Sequence, residues 1–341
     1  MSSQESEPIQ RPLRRFGDRV LGFTLRCLAT AISYTFLPVN HFYGACVGQF
    51  LWMVGGNIRR TTEINLAIAF PDRSDEERRT LAKQSLRELG KTITELGPLW
   101  CGSRRRVQNM IADVRGNAFV DTARDQGKGV IVLVPHFGAW EMAGLHLSIQ
   151  YNIVSLYRPP RLRTIDYFSR TARERFGAQL VPTNVSGVRS LFKSLRKGDL
   201  TGILPDQDPG ELGGVYAPFF GRETRTMVLA SRLAAKTNSV VVVCLAERLP
   251  WGKGYCIHFI RVDPVISSKD EKEAATALNA AIESAIRINP AQYLWSYRRF
   301  RSSATGLTNP YKQNSTPSLK IHRPDGIDSV TPTDQPRRRA A

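Results

Sequence analysis

The sequence has few cysteines, few long apolar runs, and far fewer acidic residues than basic ones. Its five cysteines are odd in number and include no Cys-x-x-Cys pair, which argues against a disulfide framework and against a cysteine zinc site. This usage favours a reducing compartment. The shortage of apolar runs of about 20 residues excludes a protein with several membrane spans.

The charge balance predicts an anionic partner. Forty-eight Lys and Arg residues against thirty Asp and Glu give a formal net charge of +18 over 341 residues. Such an excess suits nucleic acid, an anionic membrane surface, or acidic substrates and carriers, although a GC-rich genome also raises the Arg content. Nucleic acid is not an expected partner, since no helix-turn-helix, zinc-finger or RNP signature is present. Hydrophobic residues make up 42% of the chain, which excludes a disordered protein.

The N-terminal region predicts a membrane helix. Residues 20–39 carry one charge, Arg26, and as a helix they would cover roughly the 30 Å of a hydrocarbon core. A second apolar stretch, residues 42–54, is too short to span and is predicted to lie in the interface or in the protein core. Basic residues flank both stretches, so no orientation follows from them. The alternative is two buried helices of a soluble domain.

From residue 129 onward, short apolar runs alternate with amphipathic stretches. After a helix at 74–101, strands are predicted at 129–134, 152–157, 179–181, 199–204, 239–246 and 255–262, and helices at 139–150, 164–176, 187–196, 226–236 and 271–288. This order predicts an α/β fold, with a largely parallel sheet flanked by helices. Three segments are expected: an N-terminal basic segment with membrane-associated helices (1–57), the α/β domain (58–302) and a disordered tail (303–341).

His136, in the segment PHFGAWE, is predicted to be a general base. It directly follows the strand predicted at 129–134, and ligands bind at the carboxyl ends of strands in open α/β sheets. Glu141 falls in the first turn of the next helix, from where its carboxylate can fold back and hold one imidazole nitrogen. The other nitrogen would then take a proton from a substrate hydroxyl. Gly138 permits a tight turn beside the substrate. The alternative is a core histidine and an unrelated glutamate.

Two more polar segments follow predicted strands. Arg158, in YRP, could hold a phosphate or a developing oxyanion, because a guanidinium offers several donors in a fixed plane. Asp206 and Gln207, in PDQDPG, could bind polar groups of the substrate. A calcium loop is the alternative for PDQDPG, but the EF-hand spacing is missing, and no metal site is predicted.

The ordered set of motifs resembles a known family. HFGAWE, YRP, PDQDPG with a following APFFG, and QYLWSYRRFR are similar to the lipid A biosynthesis acyltransferases of the late, lauroyl and myristoyl type. NLAIAFP matches the N-terminal region of that family, and the resemblance covers about residues 15–302. The acid in His-x4-Glu replaces the Asp of the wider glycerolipid acyltransferases. Their Phe-Pro-Glu-Gly block is absent and PDQDPG takes its place, which favours the lipid A branch.

The resemblance implies a bacterial inner-membrane enzyme with its α/β domain facing the cytoplasm. It implies acyl transfer from acyl carrier protein to a hydroxyl of a Kdo-bearing lipid A precursor, in lipopolysaccharide biosynthesis. His136 would be the base, Glu141 its orienting partner, and Arg158, Asp206 and Gln207 parts of the polar site. No cofactor is expected, because thioester acyl transfer needs mainly positioning, a base and charge stabilisation. The alternative is a lysophospholipid, aminolipid or glycolipid acyltransferase, including one that uses acyl-CoA.

Overall fold

A seven-stranded sheet with helices on both faces forms the centre of the molecule. The computed structural model describes residues 12–160, 163–210, 213–302, 304 and 308–312. Its strands are β1 Ile111–Arg115, β2 Val130–Leu133, β3 Ile153–Tyr157, β4 Gln179–Pro182, β5 Leu200–Ile203, β6 Gly214–Phe219, β7 Arg222–Met227, β8 Val240–Arg248 and β9 Tyr255–Arg261. Its helices are α1 Pro12–Ser33, α2 Leu37–Val54, α3 Gly56–Ala69, α4 Asp75–Cys101, α5 Arg104–Asn109, α6 Ala118–Asp125, α7 Trp140–Gln150, α8 Arg163–Glu174, α9 Val185–Arg196, α10 Leu229–Thr237 and α11 Glu271–Ile288.

The strand order of the sheet is β1-β9-β8-β2-β5-β3-β4. The five strands β8, β2, β5, β3 and β4 are parallel, whereas β9 runs antiparallel to β8 and β1 runs parallel to β9. The predicted α/β fold with a largely parallel sheet is therefore confirmed. Because β2 is central, its carboxyl end lies between the ends of β5 and β8.

Two apolar cores cover the two faces of the sheet. On β2, Ile131 and Leu133 belong to one core, and Val130 and Val132 belong to the other. This division follows from the two-residue period of a strand, which points successive side chains to opposite faces. All four side chains are fully buried, as a continuous apolar run in a parallel sheet predicts.

The single helix predicted over residues 20–39 does not form. The chain forms two helices there, with α1 ending at Ser33 and α2 beginning at Leu37. Pro38 lies in the first turn of α2, where its missing N–H costs nothing, whereas inside one continuous helix it would remove a hydrogen bond and clash with the carbonyl of Tyr34. None of the helices in the described part of the chain is long and apolar enough to cross a membrane.

The structure also corrects one predicted helix and adds a strand, and most of the predicted tail lies outside the described residues. The helix predicted at 226–236 begins only at Leu229, because residues 222–227 pair with β6 as an antiparallel hairpin. The sequence patterns also missed β1. The predicted disordered tail at 303–341 lies outside the described residues, apart from 304 and 308–312.

A buried ion pair connects the N-terminal helices to the sheet. The Nε atom of Arg248, at the end of β8, lies 2.8 and 2.9 Å from the two carboxylate oxygens of Glu95 on α4. His41 on α2 contacts the same carboxylate at 2.6 Å. Burial alone raises the pKa of Glu95, but the charge of Arg248 and the hydrogen bonds from His41 and Arg248 lower it to about 2.

We expect Glu95→Gln to lower the free energy of unfolding by about 3–5 kcal/mol at neutral pH, because it leaves the buried guanidinium of Arg248 with only the more distant carboxylate of Glu88, at 3.4 Å. The pKa of Glu95 lies below its ordinary value of 4.5, so its contribution is present above pH 4.5 and is lost as the pH falls towards about 2. Urea unfolding from pH 7 to pH 3 checks both points, and the gap between the two proteins should narrow below pH 4.5.

The matched control is Glu271→Gln, which breaks an ion pair with Arg232 whose side chains are 38% and 58% exposed. This surface change should cost no more than about 1 kcal/mol. Equal losses in the two variants would contradict the structural importance of the buried pair.

Candidate active site

The loop of His136 is fixed to its surroundings on both sides. It follows β2, and the amide of Val134 still donates to the carbonyl of Ile203 on β5 at 2.9 Å. Three hydrogen bonds then hold the turn: Gly138 N to Gln292 O at 2.9 Å, Ala139 N to Ala246 O at 2.9 Å, and Leu294 N to His136 O at 3.0 Å. Phe137 is fully buried and anchors the loop in the core. The imidazole therefore projects from a rigid support.

Asp206, at the end of β5, holds the imidazole of His136. One carboxylate oxygen lies 2.8 Å from Nδ1, and the other accepts the His136 backbone N–H at 2.8 Å. A carboxylate can only accept, so Nδ1 carries the proton and Nε2 has a free lone pair. Burial raises the pKa of Asp206, but the positive charge that His136 carries when protonated and the two hydrogen bonds from His136 outweigh burial and hold the pKa below its ordinary value. Asp206 is thus ionised at neutral pH.

The predicted hydrogen bond between Glu141 and His136 does not form in the structure. Glu141 is buried in the first turn of α7 and accepts from Trp100 Nε1 at 3.1 Å and from Arg173 at 3.0 and 2.5 Å. Burial raises the pKa of Glu141, but the charge of Arg173 and its hydrogen bonds hold the pKa below its ordinary value. Asp206 occupies the orienting position because β5 is the neighbour of β2, whereas the Glu141 carboxylate turns towards α4 and α8.

Gln207 contacts the other side of the imidazole. Its amide nitrogen lies 3.3 Å from His136 Nε2 and can donate to the free lone pair. A substrate hydroxyl is also a donor, so it could take the place of this amide N–H. Edge-on contact with Trp140, at a ring separation of 5.2 Å, limits rotation of the imidazole. The site therefore presents a basic nitrogen in a fixed direction.

An apolar cavity of about 480 Å³ begins at His136 and Gln207. It continues between α7 and the strands β3, β4 and β5. Its walls are mostly aliphatic and include Val134, Leu145, Leu147, Ile153, Leu156, Leu180, Ile203, Leu204, Met227 and Leu229. The shape suits a long apolar group whose polar end lies at the imidazole.

Of the remaining predicted residues, Arg158 lines the cavity and Gly138 packs against β8. Arg158 is exposed and lines the same cavity as His136, as does Arg173, whose side chain is 34% exposed. Gly138 has φ +55, and an added Cβ would lie 2.1 Å from the carbonyl oxygen of Ala246. The close approach at Gly138 is therefore to β8, rather than to a substrate.

A C-terminal segment, residues 290–302, holds the loop of His136 and the end of β8 in place through hydrogen bonds. Gln292 accepts from the backbone N–H of Arg248 at 2.8 Å and donates to its carbonyl at 2.9 Å. Asn65, within the NLAIAFP motif, donates to the carbonyls of Trp295 and Tyr297 at 2.6 and 2.7 Å. Sequence patterns marked both segments but could not show that they touch, since about 230 residues separate them. They act as supports of the loop rather than as lining of the cavity.

In the part of the chain that the structure describes, no group of three or more His, Cys, Asp or Glu side chains is placed to hold a metal ion. His146 lies on α7 among apolar side chains, and burial lowers its pKa to about 4. It is therefore neutral at pH 7 and packs beside Phe259.

Comparison with known proteins assigns the family. The profile of the bacterial lipid A biosynthesis acyltransferases matches residues 19–302. The lipid A biosynthesis palmitoleoyltransferase of Escherichia coli (strain K12) is 30% identical over 281 residues, covering 80% of this chain and 89% of the relative. The lauroyltransferase of the same strain is 25% identical over 292 residues (85% and 94%), and its myristoyltransferase is 26% identical over 285 residues (81% and 85%).

The chain therefore belongs to the bacterial lipid A biosynthesis acyltransferase family. It is an acyltransferase of lipid A biosynthesis, and the resemblance found in its motifs is confirmed.

Asp206→Asn tests the partner of the imidazole. The amide keeps the size of the side chain but loses the charge that stabilises an imidazolium. We expect kcat to fall about 10²- to 10⁴-fold with little change in KM. Glu141→Gln should instead raise KM more than it lowers kcat, because its partner Arg173 lines the cavity. Steady-state kinetics give kcat and KM for both variants, once their unfolding curves have shown that the two proteins are equally stable. A loss of kcat in Glu141→Gln equal to that in Asp206→Asn would contradict this assignment.

Proposed function

We propose that this enzyme moves a fatty acyl chain from acyl carrier protein to a hydroxyl of a Kdo-bearing lipid A precursor in lipopolysaccharide biosynthesis. The observation that carries the proposal is the His136–Asp206 pair at the mouth of an apolar cavity. Family membership supports the lipid A pathway. The net charge of +18 favours an acidic carrier and a phosphorylated acceptor over neutral ones.

His136 acts as general base in this mechanism. Its Nε2 takes the proton of the acceptor hydroxyl while that oxygen attacks the thioester carbonyl carbon. The imidazolium that forms is stabilised by Asp206, 2.8 Å from Nδ1. When the tetrahedral intermediate collapses, the C–S bond breaks, and His136 returns the proton to the leaving thiolate. The products are an ester and a free thiol, and His136 is again in its starting protonation state.

Two arginines give the site its positive charge. Arg158 is exposed at the end of β3, and Arg173 is held by Glu141 at the cavity wall. We propose that Arg158 binds a phosphate or the developing oxyanion, and that Glu141 fixes Arg173 in place. A guanidinium held by a buried carboxylate is already oriented, so less rotamer entropy is lost when an anion binds.

The assay that tests this function compares the wild type with His136→Ala in membranes. Acyl carrier protein and, separately, coenzyme A are loaded with chains of ten to sixteen carbons, roughly the lengths that the cavity could hold. The acceptors are a Kdo-bearing lipid A precursor and lysophospholipids. Mass spectrometry measures one added acyl group. We expect the carrier-dependent acylation of the lipid A precursor, with a loss of at least about 10²-fold in the variant.

The alternatives correspond to different results of the same assay. Acylation of lysophospholipid alone would show that the acceptor is not a lipid A precursor, while the proposed acyl-transfer mechanism would stand. Preference for the coenzyme A thioester would remove acyl carrier protein as the donor. Equal rates for His136→Ala and the wild type would overturn the role of the base. As a control, Gln126→Ala changes an exposed loop residue after α6 and should have no effect.

Gly144 is expected to limit the length of the acyl chain. It lies on α7 about 6 Å along the helix from Trp140 and lines the cavity. Gly144 is exposed, and an added Cβ meets no heavy atom within 4 Å, so the cavity wall has room for a side chain at this position. The three relatives are named for palmitoleoyl, lauroyl and myristoyl groups, which indicates that chain choice differs within this family.

We expect Gly144→Leu to shift the preferred donor to a shorter chain, by at least about tenfold in the ratio of kcat/KM values. The helix should not suffer, because glycine is about 1 kcal/mol less favourable than other residues inside a helix. Competition between carrier-bound C10, C12, C14 and C16 chains measures the shift. Gly144→Ala is the graded control with a smaller effect. An unchanged chain profile in Gly144→Leu would show that the acyl chain runs elsewhere.

A further inference from the structure

A side-chain amide covers the basic nitrogen of His136. The amide nitrogen of Gln207 lies 3.3 Å from His136 Nε2, the nitrogen that must take the proton of an acceptor hydroxyl. Because Asp206 accepts from Nδ1, Nε2 presents a lone pair, and only the NH₂ end of the Gln207 amide can face it favourably. We call this contact between the Gln207 amide and Nε2 the amide cap. It engages the lone pair that the chemistry needs.

The chain is fixed on both sides of Gln207. Asp206, the residue before it, makes two hydrogen bonds of 2.8 Å to the loop of the base. Asp208, the residue after it, has a buried side chain that accepts from Arg301 Nε at 3.0 Å, and its backbone N–H donates to Tyr297 Oη at 3.0 Å. The amide cap can therefore open by rotation of the Gln207 side chain alone, while the end of β5 stays in place.

Water can reach the imidazole at the mouth of the cavity. The side chain of His136 is 14% exposed, and Gln207 is half-buried. With an open lone pair, Nε2 would take a proton from water while the water oxygen attacked the thioester carbonyl carbon. The C–S bond would break, and His136 would return the proton to the thiolate. The products would be a free fatty acid and a free thiol, so an acyl donor would be consumed without acylation of a lipid.

We propose that Gln207 determines which hydroxyl His136 activates: the amide cap closes Nε2 to water and gives way to the lipid acceptor. The capping hydrogen bond is longer than the usual limit of about 3.2 Å, so it is weak enough to be displaced. Water that displaces the amide gains one hydrogen bond and little else. A lipid acceptor also binds through its other groups, for example through a phosphate at Arg158, and that binding energy moves the amide aside.

A side chain that only binds substrate would behave differently from the amide cap. Loss of such a residue would raise KM for the acceptor and leave hydrolysis of the donor unchanged. The position of the Gln207 amide favours the cap, because its nitrogen contacts the base itself. The inference rests on the proposed function, since it requires a thioester donor and a lipid acceptor at this site.

Hydrolysis of the donor in the absence of an acceptor tests the proposal. The full-length wild type, Gln207→Ala and Gln207→Met are given acyl carrier protein thioesters and, separately, coenzyme A thioesters, and the release of free thiol is measured. Gln207→Met keeps the bulk of the side chain but loses the N–H donor. We expect the ratio of hydrolysis to lipid acylation to rise about three- to tenfold in both variants, the factor that corresponds to one neutral hydrogen bond. Partial unfolding cannot produce this result, because it lowers both rates together.

Three further variants locate the effect. Gln207→Ala combined with His136→Ala should lose the added hydrolysis, because the water is activated by Nε2. Arg301→Gln should raise hydrolysis less than Gln207→Ala does, because it only loosens the anchor at Asp208. Gln126→Ala is the matched control: it removes the amide of an exposed glutamine away from the cavity and should hydrolyse the donor like the wild type.

The reactivity of His136 towards diethyl pyrocarbonate gives a second readout that needs no catalysis. The reagent acylates the lone pair of a neutral imidazole, and mass spectrometry of the His136 peptide follows the reaction. We expect carbethoxylation about three- to tenfold faster in Gln207→Ala and in Gln207→Met than in the wild type. Gln126→Ala should react at the wild-type rate.

The two readouts separate this inference from the proposed function. Unchanged hydrolysis and unchanged reactivity of His136 in Gln207→Ala would overturn the amide cap. So would a higher KM for the acceptor with unchanged hydrolysis, which would assign Gln207 to substrate binding. Raised hydrolysis and reactivity in the variants, with no acylation of the lipid A precursor by the wild type, would support the cap and overturn the proposed function. Normal acylation by the wild type with no change in either readout would do the reverse.

Discussion

The ion pair between Arg248 and Glu95 is the contact on which the site depends. It joins three parts of the molecule that are far apart in sequence: the end of β8, the middle of α4, and, through the carbonyl of Gly138, the loop of His136. Neither charge is tolerated alone in a buried position, so these parts assemble together or not at all. The position of the loop that carries the imidazole therefore depends partly on contacts that lie outside the cavity.

The sequence predicted six of the seven strands of the central sheet, and β2 and β8 among them are apolar runs that are almost entirely buried. It failed where a strand depends on distant partners. Thr226 belongs to β7, and its buried hydroxyl accepts from Asn279 on α11 and from Arg299 near the C-terminus. A local pattern contains neither partner, so an alanine- and leucine-rich stretch beside it extended the predicted helix too far. β1 is an edge strand with few buried side chains, and its pattern IADVR is correspondingly weak.

The site illustrates the same limit on prediction. His136 could be found because a histidine between a buried strand and a helix is placed at the edge where ligands bind. The partner of His136 could not be found in this way. The nearest acid in the sequence, Glu141, is five residues away, whereas Asp206 is 70 residues away. The deciding fact is that β5 lies beside β2, with Leu133 opposite Ile203. Strand order is a property of the whole sheet, and once it is known, the residues after those two strands are natural partners.

The N-terminal helices show that mean hydropathy does not reveal which face of a helix is buried. A core helix and a lipid-facing helix can have the same composition, because composition does not record direction. In α2 the direction is opposite to that of a soluble helix: Asn40 and His41 are inside and bonded to α4, while Phe42 and Phe50 are outside. Exposed apolar surface costs about 25 cal/mol per Å² in water, so this orientation of α2 has a free-energy cost in water that the opposite orientation would avoid. The glycines that press α2 onto α4 thus stabilise both the helix pair and an outward apolar surface, and the same small residues that let the helices approach make that surface rigid.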